Sequence, residues 1–202
     1  MALGDLYATL SELKNRLRIT DTTYDDQLTA ALTVASAGVE HACNRQFNDA
    51  GSATARIYYP RSRTVVDVDD FHTTTGLVVA TDAGADGTFE TTLTSSQYEL
   101  RPLNGVVAGR SGWPYNQICT VRTWFPTCTE RASVQVTARW GWAAVPAPVK
   151  EAALILAEDV FKLRDTPFGV GGYGEYGRVR ARENPNVWLR IQPYVHAPVL
   201  VA

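Results

Sequence analysis

Apolar residues recur at helical spacing in three stretches of the chain and alternate with polar ones in the region between them. From Asp25 to Phe47 the apolar set is Leu28, Ala31, Leu32, Ala35, Val39, Ala42 and Cys43, the i, i+3, i+4, i+7 stripe that lays one apolar face along a helix. Thr22 or Thr23 is placed to accept from the first-turn amides, and Asp25 and Asp26 follow where the helix dipole favours negative charge. The opposite face, Thr29, Thr33, Ser36 and Glu40, suits water or a polar neighbour. Ahead of it, Thr9-Leu10-Ser11-Glu12 has the form of a capping box, and Leu10, Leu13 and Leu17 carry a short helix up to Arg18. The brief connector Ile19-Thr20-Asp21-Thr22 predicts that the two helices pack as a hairpin. A third stripe, Val149, Ala152, Ala153, Leu156, Val160 and Phe161, follows Val145-Pro146-Ala147-Pro148 and ends near Arg164, before Thr166-Pro167.

Between these helices the period changes. From Ala55 onward, β-branched and aromatic residues come in short runs separated by Gly, Pro, Asp and Asn: Arg56 to Tyr59, Thr64 to Val68, Gly76 to Thr81, Thr88 to Leu93, Tyr98 to Leu100, Ile118 to Phe125 and Ser133 to Trp140. The last run alternates Val134, Val136, Ala138 and Trp140 with Gln135, Thr137 and Arg139, as a sheet with one wet face requires. Asp86-Gly87 and Asn104-Gly105 tolerate positive φ and predict turns between antiparallel strands. The loop around Ser111-Gly112-Trp113-Pro114 is expected to present an exposed aromatic.

The pattern therefore predicts an α+β fold. Residues 1–50 supply two N-terminal helices of a small bundle, 51–144 an inserted antiparallel β module, and 145–165 the late helix that closes the bundle. Residues 166–202 are read as a Gly-rich hinge and an extended C-terminal arm with no core of its own. In that arm Trp188 and Tyr194 are the expected partner anchors, with Arg178, Arg180, Arg182 and Arg190 steering the encounter, because aromatics and Arg dominate interface hot spots.

Composition narrows the function. With 202 residues the chain can bury a real core, and a net charge of −2 gives it no generally basic surface for nucleic acid. No apolar run reaches the eighteen residues a membrane span needs, and the N-terminus lacks a secretory pattern, so a soluble protein made in the cytoplasm is expected. Cys43, Cys119 and Cys128 form no C-x-x-C pair and read as buried thiols; Cys119 and Cys128 could meet across a hairpin, although a reducing compartment opposes a bond.

Candidate chemistry is sparse. Gly172-Tyr173-Gly174-Glu175-Tyr176-Gly177 is a literal G-x-G-x-x-G, but it follows a helix and precedes Pro-broken sequence, where the dinucleotide mechanism needs a strand before and a helix after. His41, His72 and His196 have no ligand at metal-binding spacing. Asp67, Asp69 and Asp70 lack the Gly and Glu of a calcium loop and read as a solvated strand end. The serines form no G-x-S-x-G elbow. No enzyme activity, metal or cofactor is expected. The five tryptophans suit core and interface packing better than a glycan platform.

The order of elements resembles a known family. Leu10 to Ile19, an acidic connector, Tyr24-Asp25-Asp26-Gln27-Leu28 opening a long helix that ends Cys43-Asn44-Arg45-Gln46-Phe47, then Val136-Thr137-Ala138-Arg139-Trp140-Gly141-Trp142, Val145-Pro146 and an Ala-rich helix to Arg164 are similar to the head-tail connector (adaptor) proteins of tailed bacteriophages. The β insert is long for that family, and the Gly-rich segment has no counterpart. The resemblance implies a structural virion protein of the neck, assembled in the host cytoplasm, forming a homo-oligomeric ring that is usually twelvefold. It implies docking on the portal protein by a C-terminal arm, a stopper or tail protein on the other side, and a channel through which DNA passes without specific binding. The alternatives are a stopper or tail-terminator neck protein, a glycan-binding β module and a cryptic hydrolase.

Overall fold

In the computed structural model, which describes residues 4–127, 131–163, 181, 182 and 184–196, residues 48–144 form one unit and residues 4–47, with those from Val145 on, form another. The α+β class is as expected.

The helical unit begins with α1 (Leu10–Leu17). Thr9 accepts from the Glu12 amide at 3.2 Å while the Glu12 carboxylate accepts from the Thr9 amide at 2.8 Å, which is the capping box the sequence predicts. α2 (Asp25–Cys43) buries Leu28, Leu32 and Val39 completely, and Asn44 in the left-handed conformation stops it four residues before the expected Phe47. Neither Thr22 nor Thr23 caps it with a side chain. The N-cap is Tyr24, whose ring packs edge-on against Phe161 at 5.9 Å, so the position serves packing instead. α3 (Ala147–Leu163) lies against α2 and buries Val149, Ala152, Ala153, Leu156 and Ala157.

Ion pairs stitch α1 to its neighbours. Arg16 holds Glu158 and Glu151 on α3, each at 2.7 Å, Lys14 holds Asp25 at 2.6 Å, and Lys150 pairs with Glu12. The Lys150 bond and the Thr9 amide hold the Glu12 carboxyl below its ordinary range; Lys162 and Arg16 do the same for Glu158.

The β unit holds seven strands: β1 (Thr54–Tyr58), β2 (Val65–Phe71), β3 (Val78–Thr81), β4 (Thr91–Leu93), β5 (Tyr98–Arg101), β6 (Tyr115–Thr120) and β7 (Val134–Ala138). They form two antiparallel sheets, ordered β1-β7-β3-β4 and β2-β6-β5. Val66, Ile118, Val79, Val134, Val136, Phe71 and Trp140 bury their side chains between them, with Gln135 and Thr137 on the other face of β7, as the alternation predicts. Six strands lie within three residues of the runs read from the sequence. β6 instead starts three residues before the expected run and stops five before its end.

The end of β7 is where this unit is held most tightly. Trp140 donates its indole N–H to the Thr54 carbonyl at 2.9 Å, meets Phe71 edge-on at 6.1 Å, and carries the Arg56 guanidinium 4.6 Å above its ring. Gly141, at φ +94°, brings the backbone so close that a Cβ there would lie 1.7 Å from the Asn48 carbonyl oxygen. This close passage lets Gly141 N donate to Asp70 O at 2.6 Å and Trp142 N to Asn48 O at 3.2 Å.

Candidate functional site

The expected arm is overturned where the chain is described. Pro185–Ile191 is a helix, α4, followed by a 3-10 turn at Gln192–Tyr194. Asn184 caps it by accepting from the Asn186 and Val187 amides at 3.0 and 3.3 Å, and Pro185 occupies the first turn, where its missing N–H costs nothing. Val187 and Ile191, one turn apart, are completely buried, and α4 packs on α3. Proline, read from the sequence as a breaker, here starts a helix. The Asn-Pro step followed by apolar residues at i and i+4 was the signal for it.

The same segment completes the C-terminal end of α2, whose last carbonyls have no partner within the helix. Arg182 donates to the Ala42 carbonyl through Nη2 at 2.9 Å and Nε at 3.3 Å, putting its charge at the negative end of the helix dipole. His196 N donates to the Cys43 carbonyl at 2.8 Å, and Arg45 meets the His196 ring at 3.0 Å. Burial pushes the Cys43 thiol up to about 12, so it is an un-ionised core group at neutral pH.

The six expected partner residues therefore separate. Arg182 lies 5.8 Å over the Trp188 ring and is committed to α2, and Tyr194 stands edge-on to Phe47 at 6.0 Å, so these three stabilise the helical unit. Arg190 donates to the Asn186 carbonyl on the outer side of α4, next to Leu189, which is 72% exposed. Arg178 and Arg180 lie outside the described residues, as do the glycines of 172–177 and Cys128.

A second feature invisible to periodicity is Tyr7. Its amide donates to Ser36 Oγ at 3.1 Å, its hydroxyl donates to Glu40 at 2.7 Å and accepts from the Phe47 amide at 3.2 Å. Burial, then the Glu40 bond, raises its pKa. The polar side of α2 at Ser36 and Glu40 thus meets a neighbour, while Thr29 and Thr33 face water and bond back to their own helix at 2.8 and 2.9 Å.

In the β unit the unsatisfied surface is apolar. Ile57 on the outer face of β1 and Tyr59 just after it are about 60% exposed, and Val78 is exposed on β3 of the same sheet. Trp124, at 67% exposure, also presents its ring to solvent. Trp113, expected in that role, is half-buried 5.2 Å from Trp142.

The residues weighed for chemistry do not converge. Asp67 accepts from Gln117 at 2.7 Å, Asp69 from Tyr58 at 2.9 Å, and Asp70 from the Trp142 indole at 2.9 Å. His72 faces the Gly141 carbonyl and His41 is exposed on α2. Among the described residues no group of three His, Cys, Asp or Glu could hold a metal, and no helix is long and apolar enough to cross a membrane.

Residues 7–81, from Tyr7 through β3, match the model of the phage gp6-like head-tail connector protein family. No curated protein sequence matches the chain. Among solved structures, a chain in the neck of an empty gene transfer agent (GTA) particle, computed with C6 symmetry, is 19% identical with a TM-score of 0.58; the match covers 97% of this chain and 93% of that one. A chain in the neck of the native GTA particle, computed with C12 symmetry, is 17% identical with a TM-score of 0.56, covering 100% and 99%. A chain of the native GTA virion gives 18% identity and a TM-score of 0.56, covering 100% and 95%. At these identities the likeness establishes a shared fold, over nearly the whole of each chain.

Proposed function

Starting from a phage head-tail connector protein, which the family match and the shared fold support, we propose that this chain is a structural, non-enzymatic subunit of a twelvefold adaptor ring in the neck of a phage-like particle. The observation that carries this reading is the family match over residues 7–81, joined to near-complete coverage of neck chains from particles computed with C6 and C12 symmetry. In such a ring each subunit presents two different patches, one to each neighbour, because a head-to-tail contact closes only when the surfaces differ. Exposed apolar side chains occur in both units, at Leu189 on α4 and at Ile57, Tyr59, Val78 and Trp124 in the β unit, which supplies the surfaces this requires.

The ring docks on the portal and extends the DNA channel towards a stopper or tail protein. Of the partner residues, Leu189 and Arg190 on the outer side of α4, with Arg178 and Arg180 ahead of it in the sequence, make the portal or neighbour contact. Arg182, Trp188 and Tyr194 act indirectly by fixing α4. The test is a cryo-electron microscopy map of particles containing this chain, paired with a pull-down on purified portal rings. Twelve copies at the neck and binding weakened at least tenfold by Leu189→Asp are expected. Density for the chain elsewhere in the particle would overturn the assignment, and unimpaired binding of the variant would remove α4 from the interface.

A further inference from the structure

Asp82 follows the last residue of β3 and is 1% exposed. One of its carboxylate oxygens, Oδ2, accepts from the Gly87 amide at 2.7 Å and closes the loop; the other, Oδ1, is buried with no hydrogen-bond partner. A buried carboxylate oxygen left without a donor is costly and calls for a positive charge or a donor beside it. The space it borders is defined by Gly84. A Cβ placed there would lie 3.9 Å from Asp82 Oδ1 and 3.9 Å from Asp86 Oδ2, so both carboxylates border the position a side chain on Gly84 would take. Asp86 is held by its other oxygen, which accepts from the Thr88 amide at 2.7 Å.

We propose that this loop, residues 82–87, binds a calcium-class divalent cation, with Asp82 Oδ1 and Asp86 Oδ2 as its side-chain oxygens. Hard divalent cations take oxygen ligands, and calcium accepts irregular sets completed by backbone carbonyls and water. Asp82-Ala83-Gly84-Ala85-Asp86-Gly87 agrees with the first, fifth and sixth positions of the D-x-[DN]-x-[DN]-G calcium loop. It departs at the third, Gly84, and at the closing position, where Leu93 replaces the bidentate Glu. Two carboxylates in place of four place its affinity at the weak end, with a Kd on the order of 10⁻⁴ to 10⁻³ M. Arg131 Nη1 lies 2.7 Å from where a Cβ on Gly87 would be, so a guanidinium stands beside the loop. The site is independent of ring formation.

The experiment is calorimetric titration of the whole EDTA-treated chain with calcium chloride, with thermal melts up to about 10 mM, well above the weakest affinity expected of such loops. Asp86 and Gly84 are exposed, so Asp86→Asn and Gly84→Asp leave the core intact. The expected results are saturable binding, weakened about tenfold or more by Asp86→Asn and tightened about tenfold by Gly84→Asp, which supplies the missing third ligand. Unchanged binding in Asp86→Asn overturns the proposal. So does a melting temperature that responds to calcium no more than to sodium chloride at equal ionic strength, in both the parent and Gly84→Asp.

Discussion

The two units are stabilised in different ways. The helical unit is built from segments far apart in sequence, held by a broad apolar seam between α2 and α3 and by ion pairs around its rim. The β unit is one continuous stretch, and its tightest point is a backbone crossing at Gly141 that no side chain could share. A seam spreads its free energy over many contacts and tolerates losing one. A crossing fails at a single atom.

That contrast predicts a hierarchy of effects. Gly141→Ala should be the most damaging single change, because it adds a Cβ 1.7 Å from a carbonyl oxygen at a φ that alanine disfavours. We expect a loss of more than about 4 kcal/mol, read as collapse of the near-ultraviolet circular dichroism of Trp140 and Trp142. A variant that melts within a few degrees of the parent would show that the crossing can relax.

Deleting residues 184–202 should cost the helical unit about 3 kcal/mol, since Val187 and Ile191 are fully buried and each contributes roughly 1.5 kcal/mol or more. Hydrogen exchange should report it as faster exchange in α2 and α3, with the β unit protected as before. An unchanged melting curve would return the segment to the status of an arm.

The smallest effect belongs to the rim. Arg16→Ala removes two partly exposed pairs and should cost about 0.5 kcal/mol. Its signature is in acid. The folded pKa of Glu158 is depressed by Lys162 and then by Arg16, so the stabilisation Arg16 gives it is present above the unfolded carboxylate value near 4.3 and is lost as pH falls through the folded value. The difference between parent and variant in urea midpoint should therefore be clear at pH 7 and shrink below about pH 4. A difference that does not change with pH would assign the Arg16 effect to packing of its alkyl chain.

Much of this architecture was legible in the residues because it is written as periodicity. Leu28 to Val39 announces α2, Val134 to Trp140 announces β7, and Thr9 with Glu12 announces the start of α1. What escaped was polar or positional. Tyr7 lies ahead of any periodic run and acts through three hydrogen bonds to residues 29 to 40 positions away. α4 is seven residues long, too short for a stripe, and its opening proline resembles a breaker until the Asn184 cap is recognised. Asp86 reads as a turn residue, and nothing in the pattern marks Asp82, whose burial only the fold reveals. The partner surface was half legible. Arg190 was expected in it, but Trp188 was preferred over its exposed neighbour Leu189, because helical phase decides which of two adjacent side chains faces out.

The separation of α2 from α3 has a consequence in time. About a hundred residues lie between the end of one helix and the start of the other. At a synthesis rate of about 5–20 residues per second, the apolar face of α2 waits roughly 5 to 20 s after emerging before α3 exists to cover it. The whole β unit is made during that interval. Nascent α1 and α2 are therefore exposed longer than any other apolar surface in the chain, and the ribosome-bound intermediate is the form most open to chaperone capture.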